Sequence, residues 1–205
     1  MIANDLHFTQ ILNVLPDPHE VWTKLQAMDT NNFNQTGYLS QGDRINDPFD
    51  FEDVKEIIKH HILKNYVKIH SIQQMSFYAE HQTAMSDFPG IIHRDETILN
   101  FMLFVDPAFE PHRGTSVYNN SYQRSITTDN NKISQTYQGN LSYCDYISPF
   151  NSQFADKKII EFQPVFNSLA VFPGYIMHGR DKNLNQQQTA RTFFVGFIRK
   201  AKFHW

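Results

Sequence analysis

The chain has 205 residues, a formal net charge of −3, 40% apolar residues and 14% aromatic ones. Such a length suits one domain with a sizeable core, and such a composition excludes a chain disordered throughout. The single cysteine, Cys144, excludes an internal disulfide, and the absence of a strong basic stripe argues against nucleic acid as principal partner.

Residues 1–66 carry two helix signals. Asp17-Pro18-His19-Glu20 supplies a cap, a proline at the first helical position and a Glu able to bond back, ahead of Val21, Trp22, Leu25 and Met28. Asp47-Pro48 opens a second, with Val54, Ile57, Ile58, Ile62 and Tyr66 at helical spacing. Both stripes are expected to cover one side of a sheet. His60 and His61 on the second helix read as packing or solvent residues.

From residue 67 the pattern changes to short strands rich in Ile, Val and Phe, over 67–80, 91–94, 98–105, 115–118, 158–162, 168–172, 176–179 and 192–198, punctuated by Gly, Pro, Asn and Asp. About eight short strands after a helical start predict a mainly β (α+β) sandwich or jelly roll, in one domain whose core spans 67–200. The polar stretch 119–157 carries Tyr122, Tyr137, Tyr143, Tyr146 and Phe150 and reads either as a lid or as a disordered insert. The N-terminus lacks a basic segment followed by an apolar one, and no apolar run approaches the ~20 residues that span a bilayer. These features predict a cytoplasmic protein with no membrane partner.

The chemistry lies in four residues. His93 and Asp95 are two apart on a predicted strand, so both side chains leave one face and can reach one point. His178 follows 85 positions after His93 (178 − 93), behind the buried-strand pattern Asn167-Ser-Leu-Ala-Val-Phe-Pro173. Two imidazoles and one carboxylate are the ligand set of a facial triad, which suits non-haem Fe(II) and leaves open positions. Arg191 begins the otherwise apolar Arg-Thr-Phe-Phe-Val-Gly-Phe-Ile. Its planar fork suits bidentate capture of a carboxylate, whether of a ligand or of an internal Asp or Glu.

The arrangement His93-x-Asp95, His178 and Arg191 resembles the 2-oxoglutarate- and Fe(II)-dependent oxygenase superfamily, in particular its prolyl-4-hydroxylase-like branch, over roughly residues 70–200. Gly114-Thr115 opening a strand after 98–105 is similar to the family pattern too. The resemblance implies a double-stranded β-helix (jelly roll, cupin-like) core with the N-terminal helices packed on one sheet. It implies iron held by His93, Asp95 and His178, and the distal carboxylate of 2-oxoglutarate held by Arg191, with Tyr78 as a candidate second contact. It also implies O2 as cosubstrate, admits ascorbate, and points to hydroxylation of an unactivated C–H with release of succinate and CO2. The substrate is left open among a peptide or prolyl residue, an amino acid and a small metabolite, as is the oligomeric state.

Where some members place a Ser two residues after the arginine, this chain has Phe193. Where nucleic-acid demethylases of the superfamily carry a second arginine, it has Phe197. Asp95 argues against the halogenating branch, which keeps a small residue there. The alternative is a cupin-like metal-binding isomerase or binding domain without 2-oxoglutarate chemistry.

Overall fold

A computed structural model describes residues 7–28, 42–46, 48–82, 92–93, 95–108, 114–118, 146–147, 158–179 and 191–204; of residues 42–46, 49, 81–82, 92–93, 146–147 and 191 it describes the backbone only. Among the described residues, eleven strands and two α-helices follow one another as β1 (Thr9–Leu12), α1 (Pro18–Gln26), β2 (Gly42–Asn46), α2 (Glu52–Asn65), β3 (Ile69–Gln82), β4 (Ile92–His93), β5 (Leu99–Phe104), β6 (Thr115–Tyr118), β7 (Tyr146–Ile147), β8 (Lys158–Phe162), β9 (Ser168–Pro173), β10 (His178–Gly179) and β11 (Arg191–Phe203). A six-stranded sheet runs β1-β9-β5-β11-β3-β2, and a five-stranded sheet runs β7-β4-β10-β6-β8. All pairings are antiparallel. The jelly roll expected from the sequence is the fold observed.

Alternation along the large sheet builds two separate cores. Phe77, Ala79, Leu99, Phe101, Leu103, Leu169, Val171, Phe194 and Ile198 form one face, packed with Leu25 of α1 and Val54, Ile58 and Ile62 of α2. Their neighbours Met102, Phe104, Ala170, Phe172, Phe193 and Val195 form the other, packed with Val117 and Phe162 of the small sheet. β3, β5, β9 and β11 therefore each contribute to both cores at period two. Gly114, ahead of β6, lies so near β8 that a Cβ would sit 1.4 Å from the Phe162 carbonyl oxygen. Glycine is required there by close approach of two backbones.

The helix starts differ in detail from their signals. Asp17 caps α1, its Oδ1 accepting from the Glu20 amide at 2.9 Å. Glu20 does not bond back; its carboxylate sits 2.6 Å from the Lys24 ammonium one turn on. Before α2, Pro48 leads into a 3₁₀ turn over Phe49–Phe51, so the α-helix begins at Glu52 with no side-chain cap. His61 Nε2 lies 3.2 Å from the Val14 carbonyl, a packing role.

The division expected at residue 66 does not follow the sheets. β1 pairs with β9 and β2 pairs with β3, so the part read as helical supplies both edges of the large sheet. At the other end, β11 runs on to Phe203. The 119–157 insert lies outside the described residues, apart from the backbone of β7.

One side chain ties the N-terminal segment down. Asn167 has φ 57°, in the left-handed region. Its Oδ1 accepts from the Leu15 amide at 2.8 Å and its Nδ2 donates to the Leu15 carbonyl at 3.0 Å, both buried. Asn tolerates that backbone better than most residues. Replacing Asn167 by Gly keeps the conformation and strands both Leu15 groups, so urea unfolding is expected to show a loss of about 2 kcal/mol, and Asn167→Ala a larger one.

Candidate active site

Asp95 and His178 meet between the two sheets. β10 lies between β4 and β6, with His178 in register with His93 on one side and Val117 on the other. The backbone on each side is anchored. The Tyr118 amide donates to the Met177 carbonyl at 2.8 Å, and the Asp95 amide donates to the Gly174 carbonyl at 2.8 Å. The turn after β9 thus fixes where the 95–98 segment begins.

The imidazole of His178 is 5% exposed and packs on the Phe172 ring, centroids 4.9 Å apart. Its Nδ1 lies 2.8 Å from the Ile176 carbonyl, which can only accept, so Nδ1 carries the proton and donates. The lone pair is then on Nε2, and Nε2 faces the Asp95 carboxylate, 3.4 Å from Oδ2. Two electron-pair donors thus converge. Two ligands at right angles on one ion, with bonds of about 2.1 Å, lie about 3 Å apart. The pair fits adjacent positions on a metal with a small contraction.

A third side chain completes this cluster. Asn100 of β5 is 2% exposed, and its Nδ2 donates to Asp95 Oδ2 at 2.6 Å and lies 3.2 Å from His178 Nε2. Thr97 Oγ1 donates to Asn100 Oδ1 at 2.5 Å, which sets the amide so that its nitrogen faces the pair. Gly174 permits the packing: a Cβ there would lie 1.8 Å from Thr97 Oγ1 and 2.9 Å from Asn100 Oδ1.

Of the residues singled out in the sequence, Asp95 and His178 come together. His93 lies opposite His178 by its backbone; its side chain is outside the described residues. Accordingly, no group of three His, Cys, Asp or Glu side chains is found among the described residues. Arg191 opens β11 with its backbone paired to Gln82, and has the parity of Phe193 and Val195, which join the inner core. Its side chain is likewise not described. Tyr78 is half-buried, packs on the inner core and meets Phe197 edge-on at 6.0 Å between centroids. Arg199 is exposed, its guanidinium 5.7 Å from the Phe197 ring. Among the described residues no helix is long and apolar enough to cross a membrane.

Thr97, Asn100 and Gly174 were not anticipated. The signal available was a lone Asn inside Ile-Leu-Asn-Phe-Met-Leu-Phe, where an inward polar side chain needs a partner. Because the turn and the Thr97 side chain compete for one space, Gly174→Ala is expected to destabilise the protein by about 1–3 kcal/mol. Adding Thr97→Ala should recover part of that loss, as a double-mutant cycle followed by thermal unfolding would register.

No protein-family model and no curated protein sequence matches the chain. Solved structures do. A prolyl-4-hydroxylase from Pseudomonas putida superimposes with a TM-score of 0.56 at 11% identity, covering 97% of each chain. HygX from Streptomyces hygroscopicus, with nickel, 2-oxoglutarate and hygromycin B bound, gives 0.60 at 11% identity over 97% of this chain and 85% of that one. A prolyl hydroxylase from Trichoplax adhaerens in complex with a hypoxia inducible factor oxygen degradation domain peptide gives 0.52 at 11% identity over 96% of this chain and 84% of that one. The chain has the jelly-roll fold of these prolyl-4-hydroxylase-like structures, over nearly its whole length.

Proposed function

We propose that the chain is an Fe(II)- and 2-oxoglutarate-dependent oxygenase that hydroxylates an unactivated C–H of a peptide or prolyl, amino-acid or small-metabolite substrate. The observation that carries the reading is the convergence of Asp95 Oδ2 and His178 Nε2 at 3.4 Å, with His178 Nδ1 committed to a backbone carbonyl. A similarly folded protein binding iron, and nickel with 2-oxoglutarate, supports it.

His178 contributes a neutral imidazole lone pair and Asp95 an anionic oxygen, with His93 as the third ligand of a facial set. Iron held there supplies the redox chemistry by which 2-oxoglutarate is decarboxylated to succinate and O2 is activated. The protein's own share is orientation and exclusion. Phe172 fixes the plane of the His178 ring, and Phe104 and Phe193, with centroids 6.3 Å apart, keep the inner face apolar. An apolar surround strengthens a charge contact, so Arg191 is suited to hold the distal carboxylate of 2-oxoglutarate, with Tyr78 offering a phenol to the same group. Phe193 provides no hydroxyl for that carboxylate.

Anaerobic addition of Fe(II) and 2-oxoglutarate should produce a weak visible charge-transfer band, and aerobic incubation with the right substrate should release succinate. Asp95→Ala and His178→Ala are each expected to abolish succinate release while circular dichroism stays unchanged; retained turnover would sink the ligand assignment. Arg191→Ala should raise the 2-oxoglutarate KM by roughly tenfold to a hundredfold, as loss of a charged hydrogen-bond pair implies, with Fe(II) affinity little changed. A fall in iron affinity instead would make Arg191 structural. Screening amino acids and Pro-containing peptides for succinate release, then for a product one oxygen atom heavier, identifies the substrate.

A further inference from the structure

We infer that Asn100 is a positioning residue for the metal ligands, and that Thr97 and the turn at Gly174 hold it in place. The inference rests on Asp95 and His178 binding a metal, and extends that reading to residues of no assigned role.

The orientation of the Asn100 amide follows from its partners. The Thr97 hydroxyl donates to Oδ1, so Nδ2 must be the end that faces Asp95 and His178. With His178 Nδ1 carrying its own proton toward Ile176, Nε2 can only accept, so Asn100 offers one N–H to the carboxylate and the other to the imidazole. One amide thereby holds both ligands in place without a metal. It also restrains the Asp95 carboxylate through Oδ2.

Metal binding must take the Nε2 lone pair, so the contact from Asn100 to His178 is given up while the one to Asp95 can persist. The amide thus acts in two opposed ways. It orders the carboxylate, which favours binding, and it occupies the imidazole lone pair, which opposes binding. Loss of partners that orient metal ligands typically costs tenfold to a hundredfold in affinity. A hydrogen bond to a neutral nitrogen contributes less than one to a charged oxygen. The ordering effect therefore dominates. Gly174 enters because its lack of a Cβ lets Thr97 sit where its hydroxyl reaches Asn100.

The test measures Mn(II) affinity by electron paramagnetic resonance of the free ion, on the full chain and without 2-oxoglutarate. Asn100→Leu is expected to weaken Mn(II) binding by roughly tenfold to a hundredfold. Thr97→Val, which leaves Asn100 in place and removes only the hydroxyl, should weaken it less, and Thr97→Ser should restore it. Should Asn100→Leu fail to fold, the Thr97 pair decides. Unchanged or tighter binding in Asn100→Leu, or Thr97→Ser binding no better than Thr97→Val, overturns the inference. Wild-type protein that takes no Mn(II) overturns the metal reading itself, which separates the two failures.

Discussion

The large sheet is covered on both faces, by helices on one and by the small sheet on the other, and this double burial governs what its strands can contain. A side chain on either face must be apolar or have a partner, because an unmet polar group loses its water without compensation. β5 and β9 are accordingly buried at every position. The polar residues they do carry are committed. Ser168 donates to the Val165 carbonyl and accepts from Gln10, and Asn100 joins Thr97, Asp95 and His178.

The candidate active site inherits its precision from elements that are themselves very short. β4 and β10 have two residues each, too few to define a direction alone. Their positions come from pairing, with β10 between β4 and β6, and from backbone bonds at Met177 and Gly174. Long strands provide the frame, and short ones carry the candidate ligand positions His93 and His178.

How legible this was in the sequence depended on where each residue's role is recorded. Asp95 and His178 stood out because ligand types beside apolar strands are uncommon, whereas β5 and β9, buried on both faces, carry no alternation that would tell the two cores apart. β1 and β2 were hidden. Thr-Gln-Ile-Leu has little alternation and Gly-Asp-Arg-Ile-Asn has one apolar residue, because an edge strand is held chiefly by its ladder to one neighbour. The Asn100 cluster was hidden for another reason: its meaning lies in three contacts that only the fold assembles. The reciprocal bond expected from Glu20 failed to form because Lys24, one turn along, offers the carboxylate an opposite charge.

β11 occupies the middle of the large sheet, between β5 and β3, although it is the last strand in the sequence described. Phe194 pairs with Leu103 on one side and with Ala79 on the other, partners 91 and 115 residues upstream (194 − 103 and 194 − 79). On a ribosome, β3 and β5 therefore emerge with open edges and must wait for residues 191–203 before they can join. Such distant pairings close large loops before any reward, and they slow folding. Unpaired apolar edges in the interval invite wrong pairings, so the final strand is also what closes the sheet against aggregation.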